Sequence, residues 1–192
     1  MSSISHRLEP VKPVIYSVRH GESIFNVNRG LYQRVSDPAG WLTERGQQQA
    51  HDAGDFLAEH FAQMPLNVQP RKIRILRSFY RRAIQTAQNI ETALRCHSEI
   101  IDIDISVKED SRLRELEFGY GGYLKEAFEP HDQLSDQLRY QGYKFLAPRL
   151  GGESPAHMEN RVRSVLGAIF RDFKENGIRT SSWWAMASPT GC

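Results

Sequence analysis

Short apolar runs alternate with longer amphipathic stretches, and this alternation constrains the fold more than any other feature of the sequence. Val14-Ile15-Tyr16-Ser17-Val18 is rich in strand-forming residues and ends in an Arg-His-Gly turn. Thr43 has the chemistry of a helix N-cap, and Ala50, Ala53 and Leu57 follow at helical spacing to about Phe61. Ile73 to Leu76 reads as a second strand, after which Ala83, Ile84, Ala87, Ile90 and Leu94 mark one face of a helix. Ile101, Ile103, Ile105 and Val107 alternate with polar residues, the pattern of a half-buried strand at a sheet edge. Ser154-Pro155 places an N-cap before a proline suited to the first helical position. Met158, Val162, Val165, Leu166, Ile169, Phe170 and Phe173 carry that helix, and Gly177 closes it. Strands alternating with helices predict an α/β fold with a mostly parallel central sheet.

A chain of 192 residues is expected to form one domain, with a core large enough to need no disulfide or metal staple. Lys and Arg total 25 against 23 for Asp and Glu, a net charge of +2, which argues against a surface built for nucleic acid. Cys96 and Cys192 form no disulfide framework and no metal-binding pair, so a reducing compartment is the default. Met1 to Pro13 lacks the apolar run of a signal peptide, and no stretch approaches the ~20 apolar residues of a membrane span. These readings predict a soluble, cytoplasmic protein.

Tyr120 to Arg149 has weaker periodicity and holds four of the seven tyrosines, with Phe128 and Phe145. It reads as a helical insertion packing its own small core, or as a lid whose aromatic residues shape a substrate pocket; the two are compatible.

Arg19-His20-Gly21-Glu22-Ser23 follows the first strand directly, where open α/β sheets place their ligands. An arginine fork neutralises phosphate oxygens, a neutral imidazole can attack phosphorus, and Gly21 lets the backbone approach the ligand. Taken alone, an Arg-His pair is more often surface decoration. With Asn26 three residues on, however, the motif resembles the signature of the histidine phosphatase superfamily, the phosphoglycerate mutase-like branch. Further matches occur in the family's order. Leu42-Thr43-Glu44-Arg45-Gly46 with Gln49-Ala50 resembles its first helix start, and Ser78-Phe79-Tyr80-Arg81-Arg82-Ala83-Ile84-Gln85-Thr86-Ala87 resembles its second arginine motif. Spacing from Ser78 selects Arg82 over Arg81. Leu113-Arg114-Glu115-Leu116-Glu117-Phe118-Gly119 resembles the segment carrying the catalytic acid, and Gly151-Gly152-Glu153-Ser154 also fits. The resemblance covers 14–177.

It implies a three-layer α/β/α sandwich and a set of roles. His20 is the nucleophile; Arg19, Arg82, Asn26 and Ser23 bind the phosphoryl group; Glu115 protonates the leaving oxygen and later activates water. Without the resemblance, Glu115 reads as a surface carboxylate paired with Arg112 or Arg114. No metal or organic cofactor is implied. His6, His51, His60, His97, His131 and His157 lack metal-ligand spacing and read as surface residues. The implied activity is hydrolysis of small phosphorylated metabolites. Gly142-Tyr143-Lys144-Phe145 with Arg149 and Gly152-Glu153-Ser154 looks more like the small broad-range fungal acid phosphatases than the glycolytic mutases. Phosphoglycerate mutase-type transfer and non-catalytic binding of a phosphate ligand are the alternatives; nucleic-acid binding is a distant third.

In the family, a strand ending in a second His-Gly pair follows the last helix, and its histidine stabilises the transferring group. Here no histidine follows His157. The tail at 180–192 is therefore expected to lack the C-terminal strand and helix, and the chain to be impaired in activity. The codons point to a displaced reading frame. Trp183-Trp184-Ala185-Met186-Ala187 must be written TGG TGG GCN ATG GCN, and regrouping those bases gives Val-Gly-X-Gly, with X one of His, Tyr, Asn or Asp.

Overall fold

The computed structural model describes residues 14–65, 72–97, 103–117, 145, 152–175 and the strand 182–188. Its strands are β1 (Val14–Arg19), β2 (Lys72–Arg77), β3 (Asp104–Glu109) and β4 (Ser182–Ser188). Its helices are the short α1 (Ile24–Val27), α2 (Glu44–Ala62), α3 (Arg81–Cys96) and α4 (Pro155–Glu175). Three 3-10 turns, Arg29–Gln33, Asp37–Ala39 and Ser111–Leu113, lie between them.

The four strands form one sheet in the order β1-β4-β2-β3, and every pairing is parallel. Parallel neighbours need helical crossovers, which cover the sheet on both faces. Alternation along the strands sorts the core accordingly. Ile73 and Ile75 of β2 face Leu57, Ala58 and Phe61 of α2 and Ala87, Ile90 and Leu94 of α3, with Tyr16, Val18, Ile105 and Val107 packed alongside. Leu76 points the other way and meets Leu113 and, from α4, Val165 and Ile169, with Ile15 beside them. The three layers expected from the resemblance are thus present. Gly54 sets the distance between α2 and α3: a Cβ there would lie 2.6 Å from the Ala93 Cβ.

Helix starts follow the sequence signals. The Thr43 hydroxyl accepts from the Gly46 N–H at 3.0 Å, and the Ser154 hydroxyl accepts from the His157 N–H at 3.3 Å. The strand expected around Ile103–Val107 is β3, at a sheet edge. Tyr120 to Arg149 lies outside the described residues except for Phe145, as do Ile101 and Gly177.

One expectation is corrected. The tail does not lack its strand, because β4 occupies the slot between β1 and β2, pairing Val14 with Trp183 and Ile73 with Trp183. The physical reason is that ladder hydrogen bonds come from the backbone. Any run without proline can fill an interior slot where two strands offer unpaired N–H and C=O groups. No helix among the described residues is long and apolar enough to cross a membrane.

Candidate active site

Because the strands are parallel, the segments that leave β1, β2 and β3 emerge at one edge of the sheet. His20 follows β1, the Ser78–Arg82 segment follows β2, and Glu115 follows β3 by way of the Ser111–Leu113 turn. Three motifs far apart in sequence therefore meet.

The loop after β1 is pinned from two sides. The Gly21 N–H donates to the Thr86 hydroxyl at 3.2 Å, and that hydroxyl donates to the Arg82 carbonyl at 2.8 Å. The Glu22 N–H donates to Gln49 Oε1 at 2.9 Å, and the Glu22 carbonyl accepts from the Thr43 N–H at 2.9 Å. The two glycines at the crossing are sterically required: a Cβ on Gly21 would lie 2.1 Å from the Gly46 carbonyl oxygen. Both the Ser23 N–H and its hydroxyl donate to Asn26 Oδ1 at 2.8 Å. The Asn26 side chain is exposed, so its amide NH2 is the end left for a ligand.

His20 is half-buried, with Nδ1 2.7 Å from the Gly21 carbonyl oxygen. A carbonyl only accepts, so Nδ1 carries the proton and Nε2 of the neutral ring keeps its lone pair. The pKa is held below the ordinary 6.5, first by burial. The charges of Arg82 and Arg19 push it further down, while the Gly21 bond and Asp37 oppose them. A nucleophilic nitrogen is the result. Arg19 itself is exposed at the end of β1.

Arg82 is 3% exposed. Its Nη1 donates to Asp37 twice, to Oδ1 at 2.6 Å and to the carbonyl at 2.8 Å, and its Cζ lies 4.8 Å from the Tyr80 ring centroid. The Nη2 of the same guanidinium is 3.7 Å from Glu115 Oε2. Burial, the largest cause, pushes the Glu115 carboxyl up to about 7 from an ordinary 4.5. The Leu116 N–H, Arg82 and Arg161 pull down and Asp37 pushes up. A carboxyl poised near neutrality can both give and take a proton there. Glu115 is not a surface carboxylate paired with Arg112 or Arg114: Arg112 is bound to Asp110 at 2.6 Å, and Arg114 to Glu153 at 3.3 Å.

Beneath Glu115 lies a second layer. Arg161 of α4 holds Glu153 in a two-pronged pair, at 2.5 and 2.6 Å. Its other donors reach the Arg114 carbonyl at 3.1 Å and the Glu115 carbonyl at 3.5 Å. The Glu153 N–H donates to the Glu117 carbonyl at 2.8 Å. The start of α4 is thereby tied to the strand-end segment that carries Glu115. A cavity of about 610 Å³ opens here, walled by Arg114, Glu117, His157 and Arg161 among others, but its walls do not include His20.

The structure thus gathers His20, Arg82 and Glu115 with Asp37, and it joins Ser23 to Asn26. Asp37, Thr86, Glu153 and Arg161 were assigned no role by sequence reasoning. An Asp-Pro turn is common on any surface, and nothing in the sequence says that Asp37 is 6% exposed. The histidines outside the site are not all plain surface residues. His60 Nε2 is 2.9 Å from the Tyr16 hydroxyl, and His51 and His97 each lie 3.1 Å from one oxygen of Asp55. His51, Asp52 and Asp55 bring three ligand-type atoms within 4.8 Å of one another on a partly exposed face, a grouping that counting histidine spacings alone misses. His6 and His131 lie outside the described residues.

The strand ends of a three-layer α/β sandwich carry a neutral histidine, a buried arginine and a near-neutral carboxyl, groups whose chemistry suits phosphoryl transfer. The chain belongs to the histidine phosphatase superfamily (branch 1), whose sequence model matches residues 15–180. It is 29% identical over 174 residues to the phosphoglycerate mutase-like protein AT74 of Arabidopsis thaliana, covering 91% of this chain and 51% of that protein. It is 30% identical over 156 residues to the 6-phosphofructo-2-kinase/fructose-2,6-bisphosphatase of Aquarana catesbeiana, covering 79% of this chain and 29% of that one. The chain therefore spans about half or less of the length of these relatives. Among solved structures, a mycobacterial glucosyl-3-phosphoglycerate phosphatase complexed with VO3 superposes with a TM-score of 0.58 at 26% identity, covering 88% of this chain and 73% of that one. The alpha-ribazole phosphatase of Shigella flexneri shares the fold, with a TM-score of 0.57 at 20% identity and coverage of 91% and 73%.

Proposed function

We propose that this chain hydrolyses phosphate monoesters of small metabolites through a phosphohistidine on His20. The observation that carries the reading is the His20 tautomer, with Nδ1 spent on Gly21 and Nε2 left with its lone pair at the sheet edge it shares with Arg82 and Glu115. In the first step His20 Nε2 forms a bond to phosphorus, the ester P–O bond breaks, and the leaving oxygen takes the proton of Glu115. In the second, water attacks phosphorus, Glu115 takes a proton from that water, and the P–N bond breaks to release phosphate. Arg19, Arg82 and the Asn26 amide hold the phosphoryl oxygens, whose charge rises as the bond is exchanged, while Ser23, expected to bind the phosphoryl group itself, is buried and spends both its donors on Asn26 Oδ1, fixing that amide. The matched solved structures include phosphatases named for glucosyl-3-phosphoglycerate and alpha-ribazole, which supports a small phosphorylated substrate.

The test is phosphate release from a panel of small phosphomonoesters, set beside isomerisation of phosphoglycerate, with acid quenching to trap labelled protein. His20→Ala is expected to abolish both the acid-labile label and turnover. Undiminished hydrolysis by that variant would remove the mechanism. Isomerisation without phosphate release would instead favour mutase-type transfer, and vanadate binding without turnover a non-catalytic phosphate-binding role.

A further inference from the structure

Asp37 sits in a turn ahead of α2, yet its side chain is only 7% exposed and that of Arg82 only 4%. One buried guanidinium therefore faces two carboxyl groups at unequal distances, Asp37 at 2.6 Å and Glu115 at 3.7 Å. Away from water, two carboxylates on a single cation leave one negative charge uncompensated, so only one of them can be its close partner. Distance decides which: Arg82 Nη1 donates two hydrogen bonds to Asp37, one to its carboxylate and one to its carbonyl, whereas Glu115 lies beyond hydrogen-bond length from Nη2.

We propose that Asp37 is a positioning residue: it occupies one edge of the Arg82 guanidinium and so keeps Glu115 from becoming that cation's counter-ion. The opposite edge of Arg82 is then aimed into the site, and Glu115 retains the proton that an acid needs. The remaining charged and titratable groups around Glu115 do not take over this function. Arg161 is committed to Glu153 and to backbone carbonyls, and the Tyr80 phenol, which faces Asp37, Glu117 and Glu115, is pushed well above its usual range, chiefly by burial. The proposal rests on the reading of Glu115 as the proton donor, but its first test does not need turnover.

Carbon-13 NMR titration of the Glu115 carboxyl in the full chain is compared with the same titration in Asp37→Asn, which keeps an oxygen toward Arg82 and removes the charge. Asp37→Ser is the second variant, for use if the first fails to fold. Glu115 is expected to ionise at least one unit lower in either variant, about tenfold in its acid dissociation constant. An unchanged Glu115 titration in a folded variant overturns the proposal. In activity, Asp37→Asn is expected to lose kcat at neutral pH on alkyl phosphates, whose leaving oxygen needs a proton, and to lose far less on dinitrophenyl phosphate. Its alkaline limb is expected to move to lower pH, and no such movement should occur in a Glu115→Gln background. Equal losses on both substrates, with an unmoved pH profile, also overturn it. If the titration shifts while the wild-type chain hydrolyses no ester, the positioning stands and the phosphatase reading has failed.

Discussion

Glu115 carries a carboxyl pushed up to about 7 from 4.5, with burial the largest cause, and this has a consequence for stability as well as for chemistry. Between those values the folded chain holds a proton that the unfolded chain has released, so stability is full below about 4.5 and is lost as pH rises through about 7. Complete expression of the shift corresponds to about 3 kcal/mol, an upper figure for a side chain still 21% exposed. Glu115→Gln cannot ionise and is expected to escape this loss. Urea unfolding of both proteins at pH 5 and pH 8 should show the variant gaining on the wild type by up to about 3 kcal/mol at the higher pH. Parallel pH dependences would show that the carboxyl is not held up. His20, Arg82 and Glu115 were legible in the sequence because each belongs to a motif with its own order and spacing. Asp37 was not, since its importance lies in a contact 45 positions away.

Arg161 shows what an element contributes beyond its apolar face. The periodicity of α4 marks an apolar face, of which Val165 and Ile169 pack in the core with Leu166 alongside, whereas Phe170, read as part of that face, is 54% exposed. The periodicity does not predict that the first two turns carry a guanidinium under the Glu115 segment. Glu153 is 6% exposed, and breaking its two-pronged pair from one side leaves a buried charge with only the 3.3 Å contact to Arg114. Arg161→Met is expected to cost about 3 kcal/mol or more in chemical denaturation. Arg163→Ala on the same helix is the comparison: its pair with Glu159 is 73% and 44% exposed, and its loss should stay within about 0.5 kcal/mol. Equal small losses in both would mean that the Glu153 pair acts as a surface contact.

At the scale of the whole molecule, β4 is the element on which the sheet depends, joining β1 to β2 with a ladder on each side. The expectation that the tail leaves a gap in the sheet is overturned by this placement. The proposal of a displaced reading frame then rests on residue identity alone: β4 ends at Ser188, level with Arg19 beside the site, and supplies no histidine there. Transcript sequencing across codons 180–192 tests the frame. A chain with the restored tail is expected to turn over about 10²–10³-fold faster, the value of one transition-state donor, and to be no more than comparably folded by circular dichroism. Transcripts that confirm the present frame, together with robust phosphatase activity from this chain, would overturn it.

By itself the sequence determined the order of the strands β1 to β3 and of the three long helices, the α/β class, the caps at Thr43 and Ser154, and the motifs by which the family is known. These are written in local periodicity and in short motifs, which depend on neighbours along the chain. The tertiary structure decided what depends on distance through space. It placed β4 in an interior slot by backbone pairing, buried Asp37 against Arg82, and raised the Glu115 carboxyl by taking it out of water. It also set Arg161 beneath the Glu115 segment. Burial and Coulomb energy depend on which groups share a low-dielectric volume, and that volume exists only once the sheet has assembled.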